Sequence, residues 1–228
     1  GYVYCLDALK GTLKWKYRPG PTNEKVIGNG RMISLWPVRT GVLVDDNVAF
    51  CGAGVYPYEG ICLCALDATD GSVIWKNDTI GDQAHELDYG GISPQGYLVA
   101  SKDVLSFPPG RAMPAGFDRR TGKFLFYAAT SGKRGGTWAL LDQNYLIAGV
   151  DYSGTPHKVA YDPQTGHRQK DAFAWFPGID MVMNKHHSYL VTQQGVYSIN
   201  RAVFSEAERK VKTLSDRRKA LGKKLDSL

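Results

Sequence analysis

Five charged residues in segments between predicted strands have side chains suited to binding a ligand: Arg39, Glu59, Arg111, Arg134 and Asp151. Guanidinium groups form paired hydrogen bonds with carboxylates, so the three arginines could form a cationic rim for a small carboxylate-bearing ligand or an acidic peptide. The two carboxylates could hold a hard cation or act as a base. The alternative is that all five fix long loops through salt bridges and backbone hydrogen bonds. None is predicted to be catalytic.

Three further groups of residues were considered as metal sites. The segment 82–88 gathers four ionisable side chains, but an exposed loop is the favoured interpretation. The pair His186 and His187 is predicted to form a solvated hairpin tip. Cys62 and Cys64 share one face of an apolar strand, and neither a second pair nor a suitably spaced histidine completes a site. The sequence therefore favours buried, structural cysteines and predicts no metal site.

The elements that position these residues are indicated by an internal repeat in which a Gly follows an Asp by four residues. It occurs four times in register: Asp7 and Gly11, Asp67 and Gly71, Asp118 and Gly122, and Asp162 and Gly166. Three copies have an aromatic ring eight residues after the Asp, at Trp15, Trp75 and Phe126, whereas the fourth has Lys170. Fixed-period repetition of this kind is typical of repeat folds.

Each part of the repeat has a physical role. A strand ends at the Asp, whose carboxylate can accept hydrogen bonds from the backbone N–H groups of the turn. The Gly supplies the positive φ that such a turn requires. The aromatic residue lies on the returning strand, where its ring can wedge between neighbouring sheets.

Between the copies lie apolar hairpins with polar tips, at about 42–50, 97–107, 138–148 and 181–192. Hairpin and repeat together give four strands every 40–60 residues, which is typical of a β-propeller blade. The sequence predicts two closing strands at 1–16, full blades at about 40–76, 96–127 and 137–170, and a partial blade at 179–201. Because the chain opens within a blade, we expect it to be a fragment of a longer protein.

The run Ala65 to Trp75, and the similar run Cys5 to Trp15, resemble the tryptophan-docking repeat of the pyrroloquinoline-quinone (PQQ) family, the quinoprotein alcohol dehydrogenases and their non-enzymatic relatives. The segments at 93–97 and 110–115 resemble uncharacterised propeller proteins of planctomycete-type bacteria. The resemblance covers residues 1–201 and implies an all-β fold: part of a seven- or eight-bladed propeller of four-stranded antiparallel blades, locked by stacked tryptophans. It also implies a periplasmic or cell-envelope location, although no signal sequence is present in the chain.

The same resemblance raises PQQ as a cofactor, and the sequence departs from the enzymes in ways that bear on it. The dehydrogenases place a vicinal cysteine pair against the quinone, whereas this chain has no Cys-Cys dipeptide and no Cys-x-x-Cys-His haem motif. Phe126 and Lys170 replace two of the docking tryptophans. The cofactor therefore stays unassigned, and these departures leave the expected fold unchanged.

Charge separates residues 1–201 from a C-terminal segment, residues 202–228, predicted to be a basic amphipathic helix. Of 28 Lys and Arg and 22 Asp and Glu, eight and four lie in residues 203–228, a net charge of +4 out of +6. The near-neutral remainder argues against nucleic-acid binding. Apolar residues from Phe204 to Leu228 recur at coiled-coil-like spacing, and Ser205 with Glu208 resembles a capping box. The helix could pack on the propeller, touch an anionic surface or, the favoured alternative, pair with another helix.

Two functions from different classes follow. The first is a non-catalytic propeller, a scaffold or module that binds a protein or a small polar or anionic ligand. The alternative is a fragment of a quinone- or metal-dependent oxidoreductase, so enzymatic activity is left open. No apolar run approaches the ~18 residues of a membrane-spanning helix.

Overall fold

The structure, a computed structural model, describes residues 1–80, 92–108, 114–127, 139–141, 145–150, 157–169 and 180–226. Within these ranges it is a series of antiparallel sheets followed by one helix. The predicted partial propeller of four-stranded blades with a C-terminal helix is confirmed.

Five of the sheets form the blade series, and we number them as blades; the first four carry the Asp-Gly repeat. Blade 1 is β1 (Val3–Leu6) and β2 (Leu13–Tyr17); blade 2 is β5 (Val38–Asp45), β6 (Val48–Ala53), β7 (Cys62–Asp67) and β8 (Val73–Asn77). Blade 3 is β9 (Val99–Ala100), β10 (Val104–Phe107), β11 (Ala115–Asp118) and β12 (Phe124–Tyr127). Blade 4 is β13 (Ala139–Leu141), β14 (Leu146–Val150), β15 (His157–Tyr161) and β16 (Arg168–Gln169), and blade 5 is β17 (Asp180–Met183), β18 (His187–Thr192) and β19 (Gly195–Asn200).

The tight turn between β5 and β6 shows how the sequence sets the register within a blade. Asp46 and Asn47 both have positive φ, 48° and 59°, which is the geometry of the two-residue turn that matches strand twist. Asp45 therefore faces Val48 and Leu43 faces Phe50 across the hairpin. This register turns Phe50 into the interior, where it is 1% exposed.

The largest apolar cluster lies between blades 2 and 3. It joins Phe50, Leu63 and Trp75 of blade 2 to Leu105 and Phe117 of blade 3. Burying large side chains contributes ~1.5–3 kcal/mol each, so the sheets stabilise one another face to face. A separate cluster, containing Val3, Cys51 and Leu66, joins blade 1 to blade 2.

A hairpin between blades 1 and 2 was not predicted from the sequence. It consists of β3 (Lys25–Gly28) and β4 (Arg31–Ser34), paired in a two-stranded sheet of their own. Its turn residues Asn29 and Gly30 both have positive φ, which is typical of an Asn-Gly hairpin turn. The hairpin exposes apolar side chains, including Ile27 and Met32, which are 81% and 62% exposed.

The helix α1 (Arg201–Leu225) begins directly after β19. Asn200 is its N-cap: the side-chain oxygen accepts hydrogen bonds from the backbone N–H groups of Ala202 and Val203. The predicted capping box at Ser205 and Glu208 is therefore wrong, because both positions lie inside the helix. No helix in the described part of the chain is long and apolar enough to cross a membrane.

Candidate functional site

The Asp turns of four blades share one backbone hydrogen-bond pattern. In each, the Asp N–H donates to the carbonyl of the residue five positions later, and the Gly N–H donates back to the Asp carbonyl, at 2.8–2.9 Å. The four glycines, Gly11, Gly71, Gly122 and Gly166, have φ between +66° and +77°. An L-residue is strained in this left-handed conformation, so the turn requires Gly.

Hydrogen bonds to the turn stabilise the ionised Asp side chains. The Thr121 hydroxyl and backbone N–H groups donate to Asp118, and they lower the pKa of that carboxyl. Backbone N–H groups of Gln164 and Thr165 lower the pKa of Asp162 in the same way. These carboxylates have a structural role, because their negative charge is stabilised by hydrogen-bond donors of their own turn.

An aromatic ring from one blade covers the turn of the next blade. The Trp15 indole N–H of blade 1 donates to the Ala68 carbonyl of blade 2 at 3.0 Å, and a Cβ added at Gly71 would lie 2.7 Å from the Trp15 ring. Trp75 repeats the arrangement, donating to the Arg119 carbonyl at 3.0 Å and lying over Gly122. Trp75 is 9% exposed, whereas Trp15 is only partly buried.

Phe126 places its ring over Gly166 of blade 4. It does so without an N–H group, so this junction lacks the indole-to-carbonyl hydrogen bond. The ring also lies against Gly116 of its own blade. Lys170, the fourth position of the series, lies outside the described residues, and Gly11 has no described atom within 4 Å of an added Cβ.

Arg119 joins blades 2 and 3, a role that the sequence reasoning missed. Its guanidinium lies 2.7 Å from the Asp45 carboxylate and 3.2 Å from that of Asp46, both at the tip of the β5–β6 hairpin. It also donates to the Ser101 carbonyl at 2.9 Å and stacks over the Phe50 ring at 5.5 Å. The signal in the sequence was an Arg directly after the motif Asp, where the other copies have Ala or Pro.

The predicted ligand residues Arg39 and Glu59 lie at the opposite end of blade 2. Arg39 is near the start of β5, and Glu59 is in a short 3₁₀ turn, Pro57–Glu59, between β6 and β7. Because Val38 pairs with Ala53, the start of β5 and the end of β6 share one sheet edge. Both side chains are described and no salt bridge joins them to each other. Arg111, Arg134 and Asp151 lie outside the described residues, as does segment 82–88.

Backbone contacts hold the loops at this end of blade 2, which we call the loop end. The Trp36 indole N–H donates to the Glu59 carbonyl at 3.0 Å, and the Ser93 hydroxyl donates to the Val55 carbonyl at 2.7 Å. The Gly96 N–H donates to the Arg39 carbonyl at 3.2 Å. The loop backbone is thus fixed by an indole and a hydroxyl, while the Tyr58 side chain beside Glu59 is 75% exposed.

Three of the four cysteines lie on the face of blade 2 that packs against blade 1. Cys51, Cys62 and Cys64 are at most 2% exposed, and Cys51 pairs with Cys64 across β6 and β7. The hydrogen bond with Cys64, together with burial, raises the pKa of Cys51 well above its ordinary value, and burial raises the pKa of Cys62 to about 11. The hydrogen bond with Cys51 lowers the pKa of Cys64. The raised pKa values keep Cys51 and Cys62 protonated at neutral pH, and all three side chains are core residues by burial. In the described residues, no three His, Cys, Asp or Glu side chains are grouped as metal ligands.

His186 and His187 lie where the sequence predicted, at the β17–β18 hairpin. Their backbone N–H groups both donate to the Asn184 side chain, at 2.9 and 2.8 Å. The backbone carbonyls of the same turn accept hydrogen bonds from Arg201, at the start of α1. The hairpin therefore supports the helix.

Comparison with known proteins shows which family has similar repeats. Residues 1–145 match the family described as outer membrane protein assembly factor BamB. The crystal structure of BamB from Moraxella catarrhalis is similar over 89% of this chain and 56% of its own, with a TM-score of 0.55 and 18% identity. The chain thus spans little more than half the length of that BamB. At this identity the likeness shows a shared fold.

Two further structures are less similar. The computationally designed protein Ika4 matches 73% of this chain and 95% of its own, with a TM-score of 0.49 and 13% identity. A europium-containing methanol dehydrogenase matches 59% of this chain and 24% of its own, with a TM-score of 0.43 and 19% identity. Neither similarity carries a functional argument. No curated protein matches the chain.

Proposed function

We propose, because the chain belongs to the family of the outer membrane protein assembly factor BamB, that it is part of a non-catalytic β-propeller scaffold that binds other proteins in the cell envelope. The observation that carries this proposal is the family match over blades 1 to 3, together with blades that are joined rigidly to one another. Rigid blades with exposed loops at their ends are suited to presenting a binding surface.

In this proposal the aromatic rings over the Asp turns act as tryptophan-docking contacts. Trp15, Trp75 and Phe126 each join a blade to the next blade along the chain. Arg119 adds a second junction between blades 2 and 3. These contacts keep the ends of neighbouring blades in a fixed relation, which a scaffold requires.

The binding surface that we propose is the loop end, with Arg39 and Glu59 as its described members and Arg111, Arg134 and Asp151 as further members. Two observations support it. Arg39 and Glu59 have no ion-pair partner in the described residues, whereas Arg119 at the far end of the blade pairs with two aspartates. Tyr56 and Tyr58 stack on each other beside Glu59, with ring centroids 5.4 Å apart, and both are exposed. Tyrosine and arginine are enriched where proteins meet.

The test is binding of purified outer-membrane β-barrel precursor, kept unfolded in low denaturant, measured by fluorescence anisotropy with the intact chain. The expected result is saturable binding that Arg39→Glu or Tyr58→Ala weakens at least about tenfold. The matched control Arg120→Glu changes the same charge at an exposed site near the Asp turns and should leave affinity unchanged. Equal losses for Arg39→Glu and Arg120→Glu would place binding away from the loop end.

The oxidoreductase alternative has a separate readout. Cys62 and Cys64, the cysteines closest in sequence, are both buried and are separated by one residue, so they do not fit the vicinal pair that the enzymes place against the quinone. Addition of PQQ and Ca²⁺ to the protein should leave the quinone absorption spectrum unchanged. A shifted spectrum that follows a binding curve would overturn the non-catalytic proposal in favour of the alternative.

A further inference from the structure

The helix α1 presents an apolar stripe that nothing in the described residues covers. Its exposed members include Val211, Leu214, Leu221 and Leu225, with exposed fractions of 66%, 64%, 58% and 74%. A soluble helix normally buries such a stripe against another element. Here every described side chain from Glu206 to Asp226 is exposed.

The first turn of α1 is fixed to blade 5. The Arg201 guanidinium donates to the carbonyls of Lys185 and His187 at 2.8 and 3.3 Å, and Phe204 packs against the buried cluster of Met181 and Leu190. Beyond this turn, the stripe from Val211 to Leu225 is exposed among the described residues. Isolated helices are marginal in water, and Gly222 lowers the stability of this one further.

The stripe follows a heptad pattern with one exception. Counting Phe204 as position a, the a positions within α1 are Phe204, Val211, Arg218 and Leu225, and the d positions are Ala207, Leu214 and Leu221. Six of the seven are apolar. Alternating steps of three and four residues place them along the seam of a two-stranded coiled coil. The exception, Arg218, puts a positive charge in that seam.

Positive charge flanks the seam on one side only. The g positions are Lys210, Arg217 and Lys224, all basic, and Lys210 pairs with Glu206 at 2.8 Å, whereas the e positions are Glu208, Ser215 and Gly222. A helix that lies on a membrane carries basic residues along both borders of its apolar face and favours Trp there, and α1 has neither feature. A charged border on one side is instead typical of helix pairs, in which g and e positions choose the partner.

The same pattern disfavours a second copy of this chain. A parallel pair of two α1 helices would bring Arg218 against Arg218 in the seam and would set Arg217 beside Gly222 of the other helix. An antiparallel pair would set one basic g row against the other. The parallel pair sets like charges against each other in the seam, and the antiparallel pair sets basic rows against each other, so self-pairing is unfavourable.

We propose that α1 is a docking helix for a heterotypic coiled coil, and that its occupant is an amphipathic helix of another protein with acidic residues beside its seam and a carboxylate facing Arg218. Apolar side chains of the partner fill the a and d layers, which covers the stripe from Val211 to Leu225. Its carboxylates beside the seam pair with Arg217 of the g row. This inference does not depend on the scaffold proposal, because it uses only the helix and its anchor.

The probe is a synthetic four-heptad peptide with Leu at a and d, Glu at e and g, and one Glu at the a position that faces Arg218. Binding to the intact chain is measured by fluorescence anisotropy, with circular dichroism following the helix content. We expect saturable one-to-one binding with a rise in helicity. The same peptide with Lys at e and g should bind at least about tenfold more weakly.

Matched variants separate the stripe from the outer face. Leu214→Asn with Leu221→Asn should weaken peptide binding at least about tenfold, whereas Thr213→Asn with Ala220→Asn, on the outer face, should not. Arg217→Glu with Arg218→Glu should abolish binding, while Lys212→Glu with Lys219→Glu, which changes net charge equally, should reduce it less than threefold. An unchanged melting temperature of the propeller shows that each variant is folded.

Three results would overturn the proposal. Equal losses for the two charge-reversal pairs would show general attraction to anions. Tighter binding to phosphatidylglycerol vesicles than to the peptide would identify α1 as a membrane-surface helix. Sedimentation showing a dimer that Leu214→Asn with Leu221→Asn dissolves would make a second copy the occupant.

Discussion

The indole N–H and the ring of Trp75 make separable contributions at the junction of blades 2 and 3. Trp75→Ala removes both, and truncation of a buried Trp costs ~3–5 kcal/mol. Trp75→Phe keeps a ring over Gly122, as Phe126 does over Gly166, and loses only the hydrogen bond to Arg119, so it should cost ~0.5–1.5 kcal/mol. Chemical denaturation checks the order of the two variants.

Leu9→Ala is the control for these variants, because Leu9 is 96% exposed and should be neutral. If Trp75→Phe is as destabilising as Trp75→Ala, the packing of the ring over Gly122 contributes little to the free energy of unfolding.

Asp118 links stability to pH. Its native pKa lies below the ordinary value of 3.8, so its ionised form stabilises the fold fully above about pH 4, and this contribution is lost as pH falls through the native pKa. Asp118→Asn should therefore lower the melting temperature at about pH 6 and narrow the gap to wild type at about pH 2. Asp103→Asn, at an exposed hairpin turn, serves as the control. A gap that stays constant between the two pH values would show that the charge of Asp118 is irrelevant.

The cysteines should differ in reactivity as their burial differs. Cys5 is partly exposed, whereas Cys51, Cys62 and Cys64 are buried with raised pKa values for Cys51 and Cys62. Alkylation of the native protein near pH 8 should therefore modify Cys5 first, and guanidinium should release all four thiols. Mass spectrometry of the labelled peptides makes the measurement. Fast native labelling of Cys51 or Cys64 would contradict the packing of blade 1 on blade 2.

At the scale of elements, Arg119 connects a hairpin tip to the Asp turn of the next blade. Arg119→Ala leaves Asp45 and Asp46 without their cation and should cost ~1 kcal/mol, because the Arg119 side chain is 12% exposed but the two carboxylates are 46% and 86% exposed, so solvent screens the ion pairs. Arg120→Ala is the matched control, since Arg120 is the exposed neighbour and should change stability by less than ~0.5 kcal/mol. Thermal melts at low and high salt compare the two. Equal effects would mean that the ion pairs contribute nothing.

The elements that could be predicted from the sequence are those whose signals are local. Each Asp turn is fixed by its own Asp and Gly, so the four turns, and the strands on either side, follow from spacing alone. The β3–β4 hairpin carried an equally local signal, Asn29-Gly30 between apolar pairs, and it was missed because it falls between blades and outside the repeat.

Contacts between elements were harder to predict. Arg119 meets Asp45 and Asp46 across 74 and 73 residues of chain, and neither partner is unusual in its own segment. The prediction of where α1 begins was wrong for a related reason. Ser205 and Glu208 fit the capping pattern, but β19 continues directly into the helix, so Asn200 is the residue at the boundary. For the candidate ligand site, the sequence predicted only that Arg39 and Glu59 lie in segments between the central parts of strands. Their binding role depends on partners that spacing does not reveal.

At the scale of the molecule, the most extensive buried apolar cluster among the described residues lies between blades 2 and 3. Amides of β6, β7, β10 and β11, which surround Phe50, Leu63, Leu105 and Phe117, should therefore exchange most slowly with solvent deuterium. Amides of α1 and of β3–β4 should exchange fastest, because their side chains are largely exposed. Hydrogen-exchange mass spectrometry provides the measurement. Uniform protection from blade 1 to α1 would show a single cooperative unit instead.

The ring-on-turn contact also has a direction, since the aromatic residue always belongs to the earlier blade and the Gly to the later one. Each contact couples the stability of one blade only to that of its nearest neighbour, so folding cooperativity along the chain depends on every contact between successive blades. Phe126 makes the link between blades 3 and 4 weaker than the Trp75 link by one hydrogen bond. Under mild destabilisation the Phe126 contact should accordingly open before the Trp75 contact, and blade 4 should separate from blade 3 before blade 3 separates from blade 2.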